Sequence, residues 1–341
     1  MVIGLFSAVM SFNSSAHAEE ATGLKILNSI PIGGEGEWGF PTIDADARRL
    51  YLPRTHIVQV MDLDSGKLIG VISNVTDQVC HGVAIAPAQK LGFASAGKDN
   101  NVAAFDPATL QITARIPSSV NPNATIYDPA SKHIVVMNHA AVTIIDPANL
   151  EAKPVIIPIG NGLESAVADG KGNVFVCVEN IDQVVKIDMT ANKIVASWPV
   201  APGKTPAGIA MDFKSNRLFV SCHSKVAAAA GDKSGVLAVI DPESGKVLST
   251  APIGVGASGV VFDPVLGMAL SANGKDGTLS ITKETSPGVF ETIQTLKTSV
   301  SARHVKLDAK THRFFLEGNL LDHSGSGETY GVVVIGEGDS K

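Results

Sequence analysis

Residues Val236–Pro264 read VLAVIDPESGKVLSTAPIGVGASGVVFDP. A β-branched run, Val236–Ile240, stops at the polar string Asp241–Gly245, and a second extended run follows over Lys246–Ala251. After Gly254-Val-Gly256 a third apolar run ends in another Asp-Pro, at Asp263-Pro264. The Asp-Pro-x-x-Gly turn has a mechanism: proline fixes φ, the aspartate side chain bonds the turn backbone, and glycine accepts φ > 0. Short β-branched runs punctuated in this way are strands joined by tight turns. No helical 3.6-residue period of useful length interrupts them.

The pattern recurs along the whole chain. An Asp followed six residues later by a short strand stands at Asp44 (before LYL), Asp128 (IVV), Asp212 (LFV), Asp263 (ALS) and Asp308 (FFL). Asp169 precedes VFV with one residue fewer, and Ala86 holds the same place before GFAS. A second anchor follows: VQVMD at Asp62, VAAFD at Asp106, VTIID at Asp146, VVKID at Asp188 and LAVID at Asp241. The last two repeats keep this strand as LSITK and VVVIG without the Asp. Seven copies at a WD40-like period of about 40–45 residues, each with four strands A to D, are the signature of a propeller. The expected fold is therefore all-β, a seven-bladed β-propeller with four antiparallel strands per blade. Lys25–Ile32 (KILNSIPI) looks like the D strands VLSTAPI and IVASWPV but precedes the first A strand, and Gly331–Ile335 is a C strand with no D strand after it. The N-terminal strand is thus expected to complete the last blade, so that no sheet edge is left to pair with another chain.

Segments such as VLAVIDPESGKVLSTAPIGVGASGVVFDP and KTPAGIAMDFKSNRLFVSCHS (Lys204–Ser224) resemble the YVTN-type propeller repeat and are most similar to the periplasmic YncE-like family. The likeness covers nearly the whole chain after its first residues. It implies the propeller fold, in a group that includes binding proteins and, among related propellers, lactonases. LYLP, FVSC and VMNH stand where the namesake tyrosine-valine-threonine-asparagine string would be. No catalytic residue is carried over.

Residues 1–18 read as a signal peptide, leaving 19–341 as the propeller domain. Val2–Phe12 is apolar, Asn13–Ser15 polar, and Ala16-His17-Ala18 is a small-x-small cleavage site before Glu19, although no Lys or Arg stands near Met1. The apolar stretch is too short to span a bilayer. The expected location is the periplasm or the exterior. With 45% hydrophobic residues among 341, disorder is excluded as the main state. A net charge of −6 disfavours nucleic acid as a partner, because phosphate binding needs a broad basic footprint. The three cysteines, Cys80, Cys177 and Cys222, cannot form a full disulfide framework and include no CxxC. A monomer is expected.

In a propeller strand A lies nearest the axis, and the D–A and B–C loops share one face. Five residues before each anchor, at the start of strand A, stand Gly39, His81, Asn123, Glu164, Ala207, Ser258 and Arg303. Eleven or twelve after it, at the end of strand B, stand His56, Gly97, His139, Glu179, His223, Gly274 and Asn319. Both columns point to the same face, where the longer B–C loops Ser224–Ser234 and Leu320–Thr329 also fall. Trp38, His81, Asn123, Glu164, Arg303 and His304 are the candidate ligand-binding residues: arginine can hold a carboxylate with two parallel bonds, and tryptophan can stack on a ring. His56, His139 and His223 are candidate ligands for a divalent or transition metal, since imidazole is the commonest protein ligand for such ions.

Three functions stand open. The first is a binding propeller that recognises a small polar ligand or a protein partner at this funnel face, favoured because no compact catalytic motif is present. The second is a metal-dependent lactonase or hydrolase, with Glu164, Asn123 and Glu179 holding a divalent ion and His81 or His304 as general acid or base. The third is a metal- or redox-handling propeller that uses the histidine ring.

Overall fold

The computed structural model describes residues 22–34, 39–225, 234–321 and 328–338. They form seven four-stranded antiparallel sheets, one per repeat, in a β-propeller. Blade five runs Gly203–Asp212, Arg217–Lys225, Gly235–Ile240 and Val247–Ile253. The only helical piece among the described residues is a 3-10 turn at Glu179–Ile181, which joins strands B and C of blade four. None of the described helices is long and apolar enough to cross a membrane.

Blade seven is composite. Its sheet runs in the order Leu24–Pro31, Glu328–Glu337, Arg313–Leu321, His304–Asp308, so the first of the described strands lies outermost. Lys25 pairs with Gly336, Ser29 with Val333 and Pro31 with Gly331, with a bulge between Ile26 and Asn28.

The repeated aspartates act as turn caps. At the A–B turns, Asp128 accepts from the backbone N–H groups of Ala130 and Ser131 at 3.1 and 3.0 Å, and Asp263 from Val265 at 2.8 Å. At the C–D turns, Asp62 accepts from the backbone N–H and the hydroxyl of Ser65, and Asp241 from the hydroxyl of Ser244. These bonds favour the ionised carboxylates, so Asp62 and Asp241 sit below the usual carboxylate range. The residue four after the anchor is left-handed in these turns: Gly245 has φ 71° and Gly267 φ 65°, as glycine allows, whereas Arg48, Lys132 and His312 adopt φ 56°, 62° and 54° without it.

The core is divided into layers between blades. Seven apolar clusters each join two neighbouring blades. The layer between blades seven and one contains Leu50, Leu52, Met61, Leu63, Phe315, Tyr330, Val332 and Val334. Cys80, Cys177 and Cys222 are buried free thiols in two of the other layers. On the turn face of the closing layer, Arg48 in the A–B turn of blade one grips the fully buried carboxylate of Asp308 with two contacts, at 2.9 and 2.8 Å, and also pairs with Asp64 at 2.6 Å. Burial pushes the Asp308 carboxyl up, but bonds from Arg48, Thr311 and the Lys310 backbone outweigh it, and the net effect lowers it.

Two outcomes follow from this closure. Deleting Leu24–Pro31 exposes the edge of Glu328–Glu337, and the truncated protein should aggregate in light scattering and melt at lower temperature. Arg48→Ala leaves a buried carboxylate without its cation and should destabilise by about 2–3 kcal/mol in denaturant titrations at neutral pH. Because the folded Asp308 pKa lies below its unfolded value, this contribution is full above the ordinary carboxylate range near pH 4. It should shrink as pH falls through the folded value, narrowing the gap between wild type and variant in acid.

Candidate functional site

Equivalent positions in a closed ring converge on its axis. The seven residues at the starts of the A strands, Gly39, His81, Asn123, Glu164, Ala207, Ser258 and Arg303, all line one cavity of about 510 Å³, together with Phe40, His223 and His304. Neighbouring A strands approach too closely for side chains at some points. A Cβ on Gly259 would lie 2.7 Å from the Arg303 carbonyl oxygen, which accepts the Gly259 N–H at 2.9 Å. On the far side, the Phe40 N–H donates to the His81 carbonyl.

Polar groups in this vestibule are coupled across blades. The Nδ1 of His81 and the side-chain oxygen of Asn123 lie 2.9 Å apart, joining blades two and three. Glu164 shares a hydrogen bond with Glu179, at the end of strand B in the same blade, and its pKa is pushed up to about 7. Burial is the main cause, followed by the negative charge of Glu179 and the shared bond, with Arg303 opposing. Burial lowers the pKa of His223, with help from the positive charges of Lys275 and Arg303, while Glu179 resists. Its Nε2 lies 3.5 Å from the Ser258 hydroxyl, too far for a strong bond. The Arg303 side chain is exposed, and its stem runs over Gly274, where a Cβ would meet Arg303 Cγ at 2.5 Å.

Behind the wall lies a buried chain of polar groups. His304 is in ring contact with Phe40 (centroids 4.5 Å apart), and its Nδ1 lies 2.9 Å from Glu317. Glu317 accepts from the Tyr330 hydroxyl at 2.6 Å, and the guanidinium of buried Arg54 lies 3.4 Å above the Tyr330 ring. Burial, reinforced by Glu317, raises Tyr330 well above its ordinary pKa. Glu317, Tyr330 and Arg54 carry no repeat-level signal in the sequence: His304, Glu317 and Tyr330 stand on three neighbouring strands of blade seven, and Arg54 reaches them from blade one, a contact that depends on the closed ring.

The structure thus brings His81, Asn123, Glu164, Arg303, His304 and His223 to one cavity, while Trp38 lies outside the described residues, as do most of the loops Ser224–Ser234 and Leu320–Thr329. His56, His139 and His223 do not gather. Strand B ends at Pro53 in blade one and at Met137 in blade three, which leaves His56 and His139 exposed in the turns beyond, whereas in blade five it continues to Lys225 and carries His223 to the cavity. Among the described residues no group of three or more His, Cys, Asp or Glu side chains is arranged to hold a metal ion, and that includes the set of Glu164 and Glu179.

No family model matches the sequence, and no curated protein matches it. Its fold is similar to a chain of hydrazine synthase from Kuenenia stuttgartiensis, with a TM-score of 0.68 at 13% identity over 88% of this chain and 96% of that one. At that identity the likeness establishes the propeller architecture and nothing about chemistry.

The carboxyl pair gives a signed test. Glu164 should titrate near pH 7 by carboxyl NMR. Glu179→Gln, which removes a negative neighbour, should lower that value, and Arg303→Ala, which removes a positive one, should raise it. Unmoved titrations would mean that the three groups are not coupled.

Proposed function

We propose that the vestibule is a binding site for a small polar molecule carrying an anionic group, held by Arg303 and oriented by Asn123, His81 and the Glu164–Glu179 pair. The observation that supports it most is the convergence of the seven A-strand starts on one polar cavity that contains Arg303. The pair holds a proton near neutral pH, so it repels an anion less than two carboxylates would, and a protonated carboxyl can donate a hydrogen bond. His223, kept neutral by burial, completes a wall that selects by hydrogen bonding more than by net charge.

On this reading Arg303→Ala should weaken binding of a carboxylate ligand by more than about 1.5 kcal/mol, roughly tenfold or more in Kd by calorimetry, the scale for losing a charged hydrogen bond. Substituting Asp62 or Asp241, in turns on the opposite face, should lower stability and leave affinity alone. Affinity should also fall as pH rises through about 7, where Glu164 becomes charged, and Glu164→Gln should flatten that slope. Normal binding by Arg303→Ala together with loss of binding in the turn variants would put the site on the other face.

A second reading, a hydrolase acting on lactones or esters, draws on the same proton-sharing pair, because a carboxyl poised near neutrality is suited to general acid–base work. A screen of lactones and esters without turnover would remove it. We further propose a periplasmic or secreted protein, cleaved after residue 18, working as a monomer and related to the YncE-like propellers. The leader-like segment 1–18 and the repeat pattern support this, and N-terminal sequencing of the exported protein tests it.

A further inference from the structure

Beneath the vestibule the A strands enclose a second cavity of about 280 Å³, which shares Phe40, Ser258 and His304 with the first. Its other wall residues lie further along the same strands, so it is the deeper part of the channel. Ile43, Ile85, Ile126, Ile209 and Val260 give it an apolar belt, interleaved with polar groups such as Thr42, Thr125 and Ser165. Into this wall blade seven sets Lys306. Its amine makes no hydrogen bond or ion pair with any described residue, although the charge of Glu317 acts on it through space.

We infer that Lys306 is a carbonyl-reactive amine, whose Nζ condenses with a small aldehyde or ketone that reaches the channel through the vestibule. An amine reacts through its lone pair, so it must be neutral to attack. Burial in the channel wall lowers the Lys306 pKa, with Glu317 opposing, and enlarges the neutral fraction. The nitrogen attacks the carbonyl carbon, the C=O electron pair moves to oxygen, and proton transfer from nitrogen to oxygen gives a carbinolamine. Protonation of the hydroxyl and loss of water then leave a C=N bond. The net change is carbonyl plus amine to imine plus water, with no oxidant or reductant.

His304 is placed to move that proton. It stands two residues before Lys306 on the same strand, so both side chains leave the same face of the sheet, about 7 Å apart at their bases. Its Nδ1 is engaged by Glu317, and its ring lines both cavities. The inference goes beyond the anion reading and shares only the entrance with it.

The test uses the full chain with propanal and cyanoborohydride near neutral pH, where reduction fixes each imine as a propyl group that peptide mass spectrometry locates and times. Lys306 should be labelled at least tenfold faster than the exposed Lys214 and Lys246, and that preference should vanish when the protein is unfolded in urea. His304→Gln should slow labelling at Lys306 several-fold while leaving the two exposed lysines unchanged, which also reports an intact fold elsewhere. Labelling of Lys306 at or below the rate of the exposed lysines overturns the proposal, and an unchanged rate in His304→Gln overturns the role of His304. Arg303→Ala should not affect labelling by this uncharged probe, so failure of the anion site and failure of the amine site are separately visible.

Discussion

Every blade of this protein buries both of its faces, and each buried layer is shared with a neighbour. No blade therefore holds a core of its own, and the ring must close for the last layer to exist. That layer places eight buried side chains, among them Leu52, Met61 and Phe315, between blades seven and one. At about 1.5–3 kcal/mol for each fully buried large apolar side chain, it accounts for on the order of ten kcal/mol or more, comparable with the entire net stability of an ordinary domain. The Arg48–Asp308 bond on its turn face and the outermost strand Leu24–Pro31 are small by comparison, but they sit where the ring would otherwise open.

The same closure separates structure from chemistry. Stability is carried by strands B and C, whose side chains fill the layers, and by the aspartate-capped turns of one face. The starts of the A strands contribute little apolar packing, so glycine, alanine, histidine, glutamate and arginine can occupy equivalent positions around the axis. Their effect on one another comes from sharing one partly buried cavity. That is how the Glu164 carboxyl acquires a pKa near neutrality, from burial first and then from Glu179 in its own blade, against the pull of an arginine from another.

Much of this was readable from the chain alone, for a definite reason. Anchor aspartates and strand lengths are local features that repeat, so the blade count and the ring of A-strand starts could be read from spacing. What escaped depended on the ends of elements or on partners distant in sequence. His56, His139 and His223 occupy matching positions in the repeat, yet the longer B strand of blade five separates His223 from the other two. The His304–Glu317–Tyr330–Arg54 chain and the lone amine of Lys306 leave no periodic trace, because each belongs to a single blade interface. Conversely, the absence of aspartate at Ala86 did not prevent a turn there: the backbone N–H of Lys90 bonds the Pro87 carbonyl at 3.2 Å, and Lys90 takes the left-handed conformation unaided.

The composite blade also imposes an order on biogenesis. The strand Leu24–Pro31 is synthesised before every other described strand, but its partner Glu328–Glu337 comes after all of them. Until then the nascent chain carries an unpaired leading strand and a ring that cannot shut, so the final cooperative step must wait until Glu328–Glu337 has been made. A chain that stays incompletely folded until its last strand is made remains open to chaperones for most of its synthesis, and the topology supplies that delay without any separate device.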